Sequence, residues 1–100
     1  MSDTPTTVRA AAVQIAPDLD QPERTLDRVC DAIDRAAARG AQLVVFPETF
    51  LPYYPYFSFV LPPVQQGALH LRLYEHAVVV PGPVTQAVAE RAASNTSCVL

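Results

Sequence analysis

Two short apolar runs, separated by a long stretch of helical periodicity, restrict what the first half of this chain can fold into. The runs are residues 8–15 (VRAAAVQI) and residues 41–46 (AQLVVF). Between them, apolar residues recur at three- and four-residue steps and would form one face of a helix: Leu26, Val29, Cys30, Ile33, Ala36 and Ala37. Strand, helix and strand in this order predict a βαβ unit with parallel, neighbouring strands. Both strands are expected to be buried, the second on both faces.

The predicted helix has a start signal and a stop signal. Asp20 is a favourable N-cap, Pro22 lies in the first turn, and Glu23 follows Asp20 by three residues, as in a capping box. Gly40 comes directly after the periodic residues, and glycine in this position commonly ends a helix. We therefore expect the helix to lie between Asp20 and Gly40.

Residues 47–63 differ in composition from the rest of the chain. They contain five of the ten prolines and six of the eight aromatic residues. Proline at this density disfavours both a helix and a central strand. Flexible linkers lack aromatic residues, so we expect an ordered apolar loop.

The second half of the chain predicts two helices and part of a strand. Residues 64–77 favour a helix, and residues 78–83 favour an extended connector. A further helix is expected to begin near Pro83, and Asn95 could end it. Residues 97–100 (SCVL) are typical of the first half of a strand, where the sequence stops. Without repeats or a second domain, residues 1–100 indicate one interrupted α/β domain.

Charge and composition argue against several classes of protein. The seven basic residues are all arginines. A net charge of -3 provides no excess of positive charge that would attract nucleic acid or anionic membranes. No apolar stretch is long enough to cross a bilayer, and residues 1–7 lack the pattern of a secretory signal. Cys30 and Cys98 are too few for a disulfide framework or a zinc site. We expect a cytoplasmic protein without a metal.

Glu48 is the residue best placed for chemistry. It lies in residues 46–50 (FPETF), just past the second predicted strand, where open α/β sheets bind ligands. Pro47 fixes the chain direction and holds Phe46 extended. Aromatic surroundings would disfavour the charged carboxylate and suit it to act as a general base. The alternative is a structural carboxylate that caps a turn or pairs with an arginine.

Residues 46–59 (FPETFLPYYPYFSF) resemble the first catalytic motif of the nitrilase, or carbon-nitrogen hydrolase, superfamily, and most resemble the branch that acts on nitriles. Residues 80–85 (VPGPVT) resemble the next segment shared by that family, and residues 10–14 (AAAVQ) resemble its opening strand. The resemblance covers nearly the whole chain. It implies an α/β fold in which residues 1–100 form the N-terminal part of one αββα sandwich domain.

The resemblance also implies a Cys-Glu-Lys mechanism without metal or organic cofactor. A thiolate attacks the nitrile carbon, water converts the thioimidate to a thioester with loss of ammonia, and a second water releases the carboxylic acid. Glu48 matches the glutamate of this triad, the general base, while lysine stabilises developing charge. This chain has no lysine, and neither Cys30 nor Cys98 fits the downstream nucleophile. The chain alone is therefore expected to be inactive, and the full-length enzyme to be a homo-oligomer.

Aromatic residues after Glu48 are candidates for a pocket that holds the nitrile. The candidate pocket residues are Tyr53, Tyr54 and Phe59, and Tyr54 is favoured by its central position in the aromatic run. The same rings could instead be the core that fixes the loop. Cys30 and Cys98 are expected to be buried and inert.

Two other functions stay open. A related enzyme, an amidase or carbamoyl-amide hydrolase, would use the same base and nucleophile; the aromatic and proline-rich run favours the nitrilase branch. The second alternative is a non-catalytic fragment or interaction module, which the missing lysine favours for the chain itself.

Overall fold

A computed structural model describes residues 7–100, and its central feature is a sheet of three short parallel strands. They are β1 (Ala10–Ala12), β2 (Leu43–Val45) and β3 (Cys98–Val99), in the order β1-β2-β3. Ala11 is paired with Val44, which is paired with Val99 on its other side. The predicted βαβ unit with parallel neighbouring strands is confirmed. The first strand is shorter than the apolar run that predicted it.

Helix α1 (Pro22–Ala38) covers one face of this sheet. Its predicted apolar face is confirmed, because Val29, Cys30 and Ile33 are buried. Ile33 and Val44 are both 0% exposed and belong to one core cluster. Burying a side chain of this size stabilises a fold by roughly 1.5–3 kcal/mol, so these contacts hold α1 to the sheet.

The start of α1 is not capped by Asp20, and that prediction is wrong. The N-cap residue is Gln21, whose side chain makes no capping hydrogen bond. Asp18 Oδ1 instead accepts hydrogen bonds from the backbone N–H groups of Asp20 and Gln21, at 3.0 and 2.9 Å. Thr25 Oγ1 accepts a further bond from Asp18 N at 2.8 Å. The Asp18 carboxylate therefore binds the two N–H groups that directly precede the helix, and the bond to Thr25 holds residue 18 against the first turn.

The end of α1 agrees with the sequence. Gly40 has a φ of +88°, in the left-handed region that glycine adopts without steric cost. The N–H of Gly40 donates to Ala37 O at 2.9 Å, and that of Ala41 donates to Ala36 O at 3.0 Å. These two bonds form a Schellman motif and satisfy carbonyl groups at the helix end.

Helix α4, the last helix (Pro83–Ser94), begins and ends where the sequence predicts. Its N-cap is Gly82, whose N–H donates to Thr85 Oγ1 at 3.0 Å, while the same hydroxyl donates to Gly82 O. A Cβ at position 82 would lie 2.5 Å from Val79 O, so only glycine fits there. The residues that resemble a family motif at 80–85 therefore have a local structural role.

Helix α4 packs beside α1 on the same face of the sheet. Arg91 donates a short hydrogen bond to Asp34 Oδ2, and Asn95 Nδ2 donates to Asp34 Oδ1 at 2.8 Å. The pKa of Asp34 lies below its usual value, chiefly because of the Asn95 hydrogen bond, with Arg91 acting in the same direction. Asp34 thus joins the two helices.

The opposite face of the sheet is open. Ala10 and Ala12 are exposed, and Leu43 and Val45 are only half-buried. The expectation that β1 is buried and that β2 is buried on both faces is wrong for residues 7–100. Helices cover one side alone, so alternate residues along each strand differ in burial.

Residues 53–77, here called the aromatic segment, contain three short helical elements. They are α2 (Phe57–Val60), a 3-10 helix (Pro63–Gln65) and α3 (Gly67–Glu75). The predicted exclusion of helix from residues 47–63 is wrong, because Pro55 and Pro62 flank α2 rather than interrupt it. None of these helices buries a residue fully.

A buried glutamine fixes the corner of the aromatic segment. Gln66 is 8% exposed, and its Nε2 donates to Leu61 O at 2.6 Å. Its Oε1 accepts a bond from His70 Nε2 at 3.0 Å, and the His70 ring lies edge-on to Phe57. His70 therefore has a structural role. Within residues 7–100, no helix combines the length and the apolar character needed to cross a membrane.

Candidate functional site

Glu48 lies in a tight turn at the carboxyl end of β2. Phe46 continues the strand pairing, with its N–H donating to Leu100 O at 2.8 Å. The chain then turns, and the N–H of Phe50 donates to Pro47 O at 3.2 Å. Thr49 has a φ of +49°, so the third residue of the turn is left-handed, as in type II turns. Glu48 and Thr49 form the tip of this turn.

Two aromatic residues hold the turn at its ends. The rings of Phe46 and Phe50 are 5.9 Å apart, and Phe50 is only 6% exposed. Phe50 belongs to the core cluster that also contains Ile33 and Val44. The two tip residues are therefore fixed between strand pairing on one side and the hydrophobic core on the other.

Within the part of the chain that is described, the Glu48 carboxylate has no structural role. Its side chain is exposed, and within residues 7–100 it makes no ion pair. The structural alternative of pairing with an arginine is therefore not seen in this range. The expected enclosure by aromatic rings is also not seen, because the side chain is open to solvent.

A largely apolar cleft of about 560 Å³ lies beside the turn. The two neighbours of Glu48, Pro47 and Thr49, line it on one side, and Val84, Thr85 and Val88 of α4 line it on the other. Sequence reasoning missed this cleft, because its walls come from separate segments of the chain. The helical spacing of Val84 and Val88 indicated only the wall that α4 forms.

The predicted pocket residues separate into two groups. Tyr54 is half-buried, and its ring is stacked on that of Phe59 with centroids 6.2 Å apart. Tyr56 lies against the same Tyr54 ring at 4.9 Å. Phe59 is 73% exposed. The structure thus brings Tyr54 and Phe59 together, outside the residues that line the cleft beside Glu48.

Tyr53 is placed differently from its two predicted companions. It is 5% exposed, and its hydroxyl is buried without a hydrogen-bond partner among residues 7–100. Burial raises the pKa of Tyr53, and the positive charge of Arg72 partly opposes the effect. In these residues Tyr53 is a core residue with an unused polar group.

The two cysteines also differ. Cys30 is buried on α1, and burial raises the pKa of its thiol, in agreement with the predicted core role. Cys98 is exposed, so its predicted burial is wrong. It lies on β3 in register with Leu43, on the open face of the sheet.

Comparison with known proteins gives a consistent set of relatives. A family model described as carbon-nitrogen hydrolase matches residues 9–100. A nitrilase of Paraburkholderia phymatum is 75% identical over 85 residues, which are 85% of this chain and 25% of the relative. A nitrilase 3 of an unknown prokaryotic organism is 47% identical over 87 residues, 85% of this chain and 26% of the relative. An aliphatic nitrilase of Rhodococcus rhodochrous is 33% identical over 95 residues, 94% of this chain and 26% of the relative.

The matched region includes the turn described above. The family match from residue 9 to residue 100 contains both residues 46–50 and residues 80–85. The chain spans about a quarter of the length of these relatives.

Proposed function

The chain belongs to the carbon-nitrogen hydrolase family, and from this membership we propose that it supplies the general base, Glu48, of a nitrilase. The observation that carries the proposal is the Glu48 side chain itself. It is an exposed carboxylate without an ion-pair partner in residues 7–100, on a fixed turn at the carboxyl end of a parallel strand. Relatives that carry the name nitrilase support a nitrile as the substrate.

The proposed reaction consumes a nitrile and two waters and yields a carboxylic acid and ammonia. A cysteine thiol, supplied by the full-length enzyme outside this chain, loses its proton to Glu48 and adds to the nitrile carbon. Glu48 passes that proton to the nitrile nitrogen, which gives the thioimidate. It then takes a proton from the first water and gives it to the nitrogen, which leaves as ammonia as the thioester forms. It takes a proton from the second water and returns it to the cysteine sulfur as the acid is released. A lysine stabilises the developing charge and also comes from elsewhere, because this chain has none.

The open sheet face supports the finer fold proposal. Ala10, Ala12, Leu43 and Val45 present apolar side chains that α1 and α4 leave uncovered. Parallel sheets are normally covered on both faces. We propose that residues 1–100 belong to a single domain in which a second sheet covers this face, giving the αββα sandwich.

The substrate side of the proposal rests on aromatic residues. The stacked pair Tyr54 and Phe59 presents ring surface to solvent, and an apolar nitrile could pack against it. Tyr53 lies next in the chain to Tyr54, and its buried hydroxyl has no hydrogen-bond partner within residues 7–100. We propose all three as pocket residues. The full-length enzyme is proposed to be a cytoplasmic homo-oligomer that uses no metal or organic cofactor and binds neither nucleic acid nor membrane.

The first experiment compares Glu48→Gln with the wild-type full-length enzyme. Ammonia release is measured from aliphatic and aromatic nitriles and from the matching amides, together with Tm. We expect nitrile hydrolysis to fall about a hundred- to ten-thousand-fold, because the amide cannot accept the proton. Tm should stay the same, since no ion pair within residues 7–100 depends on the carboxylate.

Glu75→Gln is the matched control, since Glu75 is also exposed and is the last residue of α3, outside the Glu48 turn. It should leave turnover unchanged. Turnover of amides but not nitriles would favour the amidase or carbamoyl-amide hydrolase alternative. Loss of activity together with a lower Tm would make Glu48 a structural residue.

A hybrid enzyme tests whether this chain can supply the base. The 85 matched residues of the Paraburkholderia phymatum nitrilase are replaced by those of this chain. We expect the hybrid to release ammonia from nitriles and its Glu48→Gln variant to lose this activity. The isolated 100-residue chain should release none, because it has no lysine. Turnover by the isolated chain would reject the proposed division of the catalytic residues.

A further inference from the structure

We propose that Thr49 is a positioning residue for Glu48, an inference that rests on the function proposed above. Thr49 holds the left-handed backbone at the tip of the turn, and this conformation sets the direction in which its neighbour Glu48 leaves the strand. The residue would act through Glu48 rather than on the substrate.

The conformation of Thr49 is unfavourable for its residue type. Its φ of +49° lies in the left-handed region, where a β-branched side chain is an outlier. At the end of α1 the chain meets the same requirement with Gly40, which has no Cβ. Strained residues of this kind persist only where the surrounding structure determines them, and they are concentrated at functional sites.

Neighbouring contacts hold the strained residue in place. Phe50 is buried in the core and donates its N–H to Pro47 O at 3.2 Å, so both ends of the turn are fixed. The φ of Pro47 is fixed by its ring. With the ends fixed, the left-handed residue is what decides the orientation of the peptide that joins Glu48 and Thr49.

The hydroxyl of Thr49 does not account for the left-handed backbone. Thr49 is exposed, and its hydroxyl can bond to water in any backbone conformation. It contacts the apolar cleft beside the turn, whose other polar lining residue is Thr85. What threonine adds over glycine is a Cβ, which narrows the backbone conformations open to residue 49, whereas glycine would move freely between left- and right-handed regions.

Position 96 offers a matched control. Thr96 has a φ of +52° after the end of α4, the same residue type in the same backbone region, but outside the Glu48 turn. Its N–H donates to Ala93 O and that of Ser97 donates to Ala92 O, so the left-handed residue at position 96 ends the helix.

The experiment measures kcat, KM, the pH profile of kcat/KM and Tm for Thr49→Gly, Thr49→Asn and Thr96→Gly in the full-length enzyme. Both glycine variants should keep or raise Tm, because strain is relieved. Only Thr49→Gly should lower kcat, by about tenfold, with KM little changed and the same fold loss at every pH, since a loosened base loses its alignment. Thr49→Asn should recover most of the loss, because asparagine tolerates the left-handed region while keeping a Cβ.

Three results would overturn the positioning role. Wild-type kcat in Thr49→Gly would show that the turn needs no stiffening. A fall in kcat that matches a fall in Tm, or that appears equally in Thr96→Gly, would indicate general stability. Glu48→Gln separates the two proposals. If this variant keeps full activity, the proposed base is wrong. If it is inactive while Thr49→Gly is fully active, the positioning role alone is rejected.

Discussion

Two regions of this chain use their apolar residues in opposite ways. The sheet unit, made of the three strands with α1 and α4, buries Val29, Ile33 and Val44 almost completely. The aromatic segment, residues 53–77, is richer in large side chains but leaves many of them in water, including Phe59, Val60 and Tyr74. The sheet unit therefore has its own core, whereas the aromatic segment has apolar surface that the described residues do not cover.

The comparison teaches that apolar content alone does not make a core. In the sheet unit, apolar residues recur with the period of the helix or strand in which they lie. They therefore lie on one face of that element. In the aromatic segment, prolines flank α2 and begin the 3-10 helix, which have four and three residues and no continuous face, and α3 buries no residue fully. Apart from the buried Tyr53, the segment is fixed by polar contacts: Gln66 with Leu61 and His70, and the exposed ion pair of Arg72 with Asp20.

The largest expected effect comes from truncating the core of the sheet unit. Ile33→Ala removes a side chain that is 0% exposed and leaves a cavity under the sheet. We expect the free energy of unfolding to fall by about 2–5 kcal/mol. Leu71→Ala, at an exposed position of α3, should change it by no more than about 0.5 kcal/mol. Urea denaturation of both variants would measure the difference. An equal loss of the free energy of unfolding in the two variants would show that the two regions do not differ in this way.

A smaller effect is expected at the turn that links α1 to β2. Gly40→Ala forces a Cβ into a left-handed residue and brings it to 2.9 Å from Arg9 Nη1, which can move aside. The conformational cost should lower the free energy of unfolding by about 1–2 kcal/mol. Gly67→Ala is the control, because a Cβ at position 67 meets no atom within 4 Å and φ is not left-handed there. Equal stability of the two alanine variants would show that the helix end is not set by Gly40.

The smallest effect concerns acid pH and the carboxylates of the sheet unit. The pKa of Asp34 is lowered by Asn95 and Arg91, and that of Asp18 is lowered by the N–H groups of Gln21 and Asp20. A folded pKa below the unfolded value means that the stabilisation is complete above about pH 4 and is lost as pH falls through the folded pKa. Tm should therefore fall as the pH is lowered from about 5 to about 3.

Replacing the carboxylates isolates this contribution. Asp34→Asn should have a lower Tm at neutral pH and a flatter Tm profile in acid. Asp31→Asn is the control, because within residues 7–100 the ion pair of Asp31 is an exposed one with Arg35 on the same helix. A profile for Asp34→Asn as steep as that of the wild type would show that Asp34 does not join α1 to α4.

Local patterns determined much of this protein from sequence. The period of α1, its end at Gly40 and the start of α4 at Pro83 depend on residues close in the chain, and all are confirmed. The parallel pairing of β1 with β2 followed from the order strand, helix, strand and is also confirmed. The family resemblance read from residues 46–59 and 80–85 is confirmed as well. The position of Glu48 after a buried strand followed from the same patterns, while its catalytic role stays a prediction.

The tertiary structure decided what depends on residues far apart in sequence or on how the chain folds back over itself. Asp18 rather than Asp20 precedes the start of α1 as the ordered carboxylate, because Thr25 in the first turn accepts a hydrogen bond from Asp18 N and holds residue 18 against the helix. Tyr53 is buried while Phe59 is exposed, although the two lie in one aromatic run, because burial depends on what packs against each ring. The cleft beside Glu48 needs α4 to lie against the turn. Periodicity specifies which face of an element is apolar, but only the packing of the elements specifies what that face meets.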